Sequence, residues 1–362
     1  MVTLHLNKPA RMTASESRFP ALDSIRGFGF LLVLASHIGN ARNLPTRGLG
    51  QFGVWIFFVL SAFLLSLPFF SKPENAKSAG EWAIYFVRRI LRIYPPLFAA
   101  LLVLHYCDGL EWPMVGRNLL FERADGILWT VFIEVRYYLL LPLVVGFLIF
   151  YSGRPKIIAV IAAVAFSIHL WDAPFWQIPA IWRASGIGTP NNHTFFQYLP
   201  LFVAGALLAW VCTQAKRSAL WTNRLNKVGP GCVVASVIAL VVASPAGLSV
   251  ITRHDLPLSY YHSFWTPMLP IAGSLVFFPV FTGGFVGAIL NHSIARFFGK
   301  ISYSGYLFHN TFVTHFSGIE RTWLYLICVV AASIVAATIG HFLLERPFIR
   351  LGHRLQFLPK PT

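Results

Sequence analysis

Asp23, Arg26 and His37 stand in one long apolar stretch that also holds Phe28, Phe30, Leu31, Leu32, Val33 and Leu34. Arg26 and His37 are eleven residues apart. At about 100° per residue that separation returns to nearly the same helix face, and it spans roughly 16 Å along the axis. Asp23 lies three residues before Arg26 and can pair with it across one turn. A neutral imidazole can take a proton from a weak nucleophile such as a hydroxyl. Ionisable side chains inside a bilayer are costly and mark function by default. The plainer alternative makes Asp23 and Arg26 interfacial anchors and His37 a packing residue.

Further stretches carry candidate chemistry. Glu134 lies well inside the apolar run 128–150. A carboxylate there needs a partner or a proton. Arg136, two residues on, faces away, so Glu134 is expected to meet another helix or a polar cavity. The segment from Tyr85 to Pro96 is basic and amphipathic, and Arg89 and Arg92 share a face, as do Arg88 and Arg92. Clustered guanidinium groups suit phosphates; anionic lipid headgroups or topology setting are the alternatives. Ser302 and His309 are seven apart on one face, a spacing open to a nucleophile and its base. No orienting carboxylate lies in the same helix, which argues against a hydrolase triad. Asn192 and His193 are open to contact with a polar ligand, with plain solvation the alternative; His254, Asp255 and His262 have no metal-ligand spacing, and no metal is expected. Cys107, Cys212, Cys232 and Cys328 are too far apart for a zinc or redox motif.

Membrane helices must hold these residues. The 362-residue chain is 56% hydrophobic and 12% charged, with a mean hydropathy of +0.64. A soluble domain carries about a quarter charged residues. The expected fold is all-α and polytopic, with about ten transmembrane helices near 22–41, 52–70, 92–107, 128–150, 157–171, 195–213, 230–244, 264–286, 301–317 and 323–344. Some of these are short, as tilted or partly buried helices are. A net charge of +16 fits basic cytoplasmic loops. No helix-turn-helix or metal-finger spacing supports a nucleic-acid partner. With the N-terminus inside, the outer segments hold only Arg42, Arg47, Arg117, Arg123, Arg183, Arg253 and Arg321 of the 29 Lys and Arg. That bias expects both termini in the cytoplasm of a cell membrane, with membrane lipid as surroundings. The first twenty residues lack the apolar core of a cleavable signal peptide, so the first span is expected to serve as an uncleaved one. The chain divides into a cytoplasmic segment 1–21, a membrane domain 22–348 and a cytoplasmic tail 349–362.

Several stretches together resemble the acyltransferase 3 family of integral membrane acyltransferases. The Leu-Asp-x-x-Arg-Gly…His pattern stands as Leu22, Asp23, Arg26, Gly27 and His37. A Gly-Val-x-x-Phe-Phe-x-x-Ser-Gly element is similar to Gly53 through Ser61 and Ala62. Arg89, Arg92 and Pro95 follow the Arg-x-x-Arg element, and Leu128, Trp129, Glu134, Tyr138, Leu140 and Pro142 the glutamate element. Gly299 to His309 and Glu345, Pro347 and Phe348 match the late elements, so the matches run in order from residue 22 to 348. The chain departs from the family where Trp55 stands for a frequent Asp, Ala62 for a frequent Gly, and Val135 for a second acid. It resembles the stand-alone form, without the esterase-like domain some members carry.

The resemblance implies transfer of an acyl group, commonly acetyl, from cytoplasmic acyl-CoA to a hydroxyl of a glycan or small-molecule acceptor. No bound cofactor is implied; acyl-CoA is a donor substrate. The residue chemistry permits His37 as catalytic base, with Asp23 or Glu134 orienting it or the acceptor. Arg26, Arg89 and Arg92 would meet the CoA phosphates, and Ser61, Tyr138, Ser302 and His309 would line the substrate cavity. The rival class, from the intramembrane His, Glu and Arg, is a proton-coupled transporter or flippase. No inverted repeat or paired broken helices support it.

Overall fold

The structure, a computed structural model, describes residues 19–46, 48–170, 195–252 and 265–354. Among these residues the regular elements are all helical, as apolar surroundings demand: backbone N–H and C=O groups must be paired within the segment. The helices are α1 Pro20–Arg42, α2 Gly50–Ser71, α3 Ala79–Asp108, α4 Trp112–Leu119, α5 Trp129–Phe150, α6 Pro155–Leu170 and α7 Phe195–Lys216. They continue as α8 Ala219–Ala243, α9 Pro245–Thr252, α10 Trp265–Phe277, α11 Gly284–Asn291, α12 Ser293–His315, α13 Thr322–Gly340 and α14 Arg346–Arg354. A π-helical turn, His341–Glu345, joins the last two. Asn192, His193, His254, Asp255 and His262 lie outside the described residues.

Among the described residues, seven helices are long and apolar enough to cross a bilayer, or eight if the pair bent by 100° between Leu269–Phe281 and Gly284–Asn291 is one span. The protein is thus an all-α multi-pass membrane protein. The sequence count of about ten included α6, which has only 16 residues. It also included α12, which is rich in polar residues such as Arg296, Lys300, His309 and Asn310. The basic stretch from Tyr85 to Pro96, most of which lies before the expected third span at 92–107, is inside α3.

Helix directions follow from who meets whom. On α1 and α12, Gly27 faces Gly299, Phe30 faces Gly305 and His37 meets Asn310, so the two run parallel. Helix α3 is parallel to them, with Tyr303 bonding Ile93 and Thr311 bonding Asp108. Helix α2 runs the other way, since Gly53 meets Gly29 and Gly50 meets Ser36. Helices α5 and α7 run with α2, through the pairs Phe58–Trp129 and Ser61–Glu134 and through Phe58–Tyr198 and Ala62–Gly205. Helix α13 is antiparallel to α12.

Small residues let α1 and α12 touch along their backbones. A side chain on Gly299 would overlap the Asp23 carbonyl. That contact brings Asp23, Arg26 and Ser302 to one level of the bundle.

Candidate active site

Five helices converge on a cavity of about 180 Å³. Its polar lining is Arg26 from α1, Ser61 from α2, Arg89 and Arg92 from α3, Glu134 from α5 and Ser302 from α12. Phe57, Phe58, Tyr303 and Tyr306 supply aromatic walls. Six of the ten residues singled out in the sequence thus share one chamber.

Each polar group has a structural reason for its position. Glu134 accepts a 2.5 Å hydrogen bond from Ser61 Oγ and a second bond from the Tyr138 hydroxyl, one turn along α5. The partner from another helix that a carboxylate inside an apolar run requires is therefore Ser61. Arg26 pairs with Asp23 at 3.5 Å, as the spacing of three predicts. The Nε of Arg89 is buried and has no hydrogen-bond partner. Three guanidinium groups face the chamber against one carboxylate, which leaves an excess of positive charge and a spare buried donor. Such a chamber suits an anion.

Ser302 and His309 do not form a pair. The Ser302 hydroxyl donates to the Gly299 carbonyl at 2.9 Å, and His309 Nδ1 lies 2.8 Å from the Tyr306 carbonyl. His309 instead packs edge-on against His37, with ring centroids 4.8 Å apart. Neither histidine lines the chamber. They sit behind Tyr306, whose ring is 5.7 Å from His309 and 6.2 Å from Phe57.

Neither acid named as an aide to His37 touches it. Asp23 is held at Arg26 and Glu134 at Ser61 and Tyr138. The polar partner of His37 is Asn310, whose Oδ1 is 3.1 Å from Nδ1. Sequence reasoning missed Asn310, although it lies seven residues beyond Tyr303 and so on the same face of α12. It also left Glu345 without a partner. That carboxylate is buried, and it accepts from the backbone N–H and hydroxyl of Ser304, with His341 Nδ1 at 3.3 Å. Among the described residues, no group of three His, Cys, Asp or Glu is arranged to hold a metal ion.

The three departures from the family pattern are all accommodated by packing. Ala62 faces Gly205 of α7, which provides the room that a Gly at position 62 would otherwise supply. Trp55 is buried against Phe52. Val135 packs against the main apolar core.

No solved structure matches the chain. The chain is similar to Nodulation protein 10 of Rhizobium leguminosarum bv. viciae, at 24% identity over 294 residues, or 65% of this chain and 76% of that protein. It is also similar to the peptidoglycan O-acetyltransferase OatA of Listeria monocytogenes serovar 1/2a, at 26% identity over 132 residues, or 34% of this chain and 20% of that protein. Residues 19–343 match the acyltransferase domain, which joins the chamber, the histidine pair and the helices that carry them into one unit; the chain belongs to the acyltransferase 3 family and is a membrane acyltransferase.

Proposed function

We propose that the protein moves an acetyl group from cytoplasmic acetyl-CoA to a hydroxyl of a glycan-class acceptor. The observation that carries this reading is the division of α1 between an arginine-lined chamber at Arg26 and a histidine site at His37. Arg26, Arg89 and Arg92 bind the CoA phosphates. The phosphopantetheine arm, roughly thirteen bonds long, extends about 15 Å at the spacing of an extended backbone. Eleven residues of helix rise about 16 Å, so a donor anchored at Arg26 brings its thioester to the level of His37. The name of the peptidoglycan O-acetyltransferase relative supports a glycan acceptor.

The reaction then needs one base. His37 Nε2 takes the acceptor's hydroxyl proton as its oxygen attacks the thioester carbonyl. The tetrahedral intermediate collapses, the C–S bond breaks, and the proton passes to the CoA thiolate. An acetyl ester and free CoA thiol result. Asp23 and Glu134 serve this scheme by holding Arg26 and Ser61, while Tyr138 steadies Glu134 and Ser302 lines the chamber. The domain runs over residues 22–348, with both termini in the cytoplasm, so the donor enters from inside and the acceptor from the other face.

The test uses purified protein in nanodiscs with radiolabelled acetyl-CoA. Wild type should release CoA thiol, slowly to water and faster with a hydroxyl acceptor. His37→Ala should lose at least about 100-fold of this turnover with donor binding intact. Equal turnover in both would remove His37 from the chemistry, and absent acetyl-CoA binding would overturn the donor.

A further inference from the structure

The face of α12 beside His37 bears on which nitrogen of that ring carries a proton. Asn310 Oδ1 lies 3.1 Å from His37 Nδ1. A carbonyl oxygen only accepts, so Nδ1 holds the hydrogen and Nε2 the lone pair. His309 cannot perform this role. Its own Nδ1–H points to the carbonyls of Tyr306 at 2.8 Å and Gly305 at 3.2 Å. Its Nε2 is therefore also a lone pair, fully buried and without a partner.

We propose that Asn310 is a positioning residue: it accepts the Nδ1 proton and holds His37 in the tautomer whose Nε2 is free to deprotonate the acceptor. The inference deepens the acyl-transfer reading and rests on His37 being its base. A neutral amide orients the ring without adding charge, so the imidazolium formed during attack readily gives its proton onward. An aspartate at the same position would hold that proton more tightly.

The groups around His37 that bear charge or titrate are few. Helix α12 offers His309. Helix α3 offers Asp108, which accepts from Thr311 at 3.1 Å. Helix α13 offers Tyr325, whose hydroxyl donates to Val313, and Arg42 of α1 lies over the Tyr325 ring. Helix α2 meets this end of α1 through Gly50.

The experiment is nitrogen NMR on histidine-labelled protein in nanodiscs, with His37 identified by His37→Gln, alongside acetyl-CoA turnover. Wild-type His37 should be Nδ1-protonated. Asn310→Ala should shift it toward Nε2-protonated and lower kcat by about 10- to 100-fold, with KM for acetyl-CoA unchanged because the arginine chamber is at the other end of α1. Asn310→Asp, equal in shape, should keep the tautomer and move the acidic limb of the kcat profile to higher pH. That shift has the sign of a carboxylate stabilising imidazolium and places position 310 against the base; the tautomer change in Asn310→Ala is the readout a merely structural asparagine would not produce. Nε2-protonated His37 in wild type would mean the amide nitrogen faces the ring, and would overturn the proposal. Unchanged tautomer and kcat in Asn310→Ala would do the same. Should Asn310→Ala not fold, an unmoved pH profile in Asn310→Asp overturns it. If wild type turns over no acetyl-CoA, the donor reading fails while the tautomer measurement still decides Asn310.

Discussion

Arginine in a membrane interior is retained only where something pairs with it, and here the pairing is incomplete by design of charge. Asp23 takes one contact to Arg26, and Glu134 is occupied by Ser61 and Tyr138. The buried Arg89 Nε has no hydrogen-bond partner among the described residues. A charge-assisted hydrogen bond contributes about 1.5–3 kcal/mol. Arg89→Ala together with Arg92→Ala should therefore weaken acetyl-CoA binding by more than about 10-fold, while the protein still reaches the membrane. Equilibrium binding of labelled acetyl-CoA checks this, and unchanged affinity would reduce the pair to a topology signal. Glu134→Gln makes the converse point. It keeps an acceptor for Ser61 but removes the counter-charge, so the empty protein should melt at lower temperature and gain more from added CoA than wild type does. Residue spacing made part of this site legible. Asp23 and Arg26 were readable because their partnership is local, one turn apart. The need of Glu134 for a distant partner was readable from its apolar flanks, but not that the partner is Ser61. Asn310 could be placed on a face of its helix but not against His37, because that contact joins positions 273 residues apart.

At the scale of elements, the site depends on how closely helices approach rather than on how apolar they are. The apolar runs announced most helices to within a few residues, since hydrocarbon dictates length. They missed the starts of α8 at Ala219 and α12 at Ser293 and the bend after Phe281, and they failed for α3, which extends back to Ala79. The failure has a physical cause: Arg89 and Arg92 turn into a polar chamber, so the hydropathy of that half is low although it is helical. Pro95 and Pro96 lie inside α3 without ending it. Close approach sets the register of α1 on α12. Gly299→Val should sharply lower the yield of folded protein in detergent, measured by size-exclusion chromatography, because the added carbons meet the Asp23 backbone, which cannot yield as a flexible side chain does. Overpacking of this kind costs about 1–3 kcal/mol or more. Ala62→Gly, by contrast, should be mild. Gly205 already provides the clearance, so the main effect is the helix propensity of glycine, about 1 kcal/mol.

The whole molecule adds the one thing no single helix contains, a direction. Helices α1, α3 and α12 run one way and α2, α5, α7 and α13 the other. The ends where α1, α3 and α12 begin carry the arginine chamber, and their far ends carry His37, Asn310 and Asp108. An acyl donor restricted to the cytoplasm fits only if the arginine end faces inward. The charge bias of the loops is an independent argument for the same orientation, through Lys72 and Lys77 after α2 and Arg154 and Lys156 after α5. Native Cys107 supplies a probe, being exposed near the far end of α3. In a variant with Cys212, Cys232 and Cys328 replaced by Ala, a membrane-impermeant maleimide should label Cys107 on intact cells. Lys72→Cys in a background that also lacks Cys107 should label only after lysis. The opposite pattern would turn the arginine chamber outward, away from cytoplasmic CoA. Acetyl transfer would then need a donor on the far side, and the loop charges would have to be explained by lipid contact instead. Two labelling reactions thus decide whether the chamber and the histidine site are entered from opposite faces, on which the cross-membrane division of donor and acceptor depends.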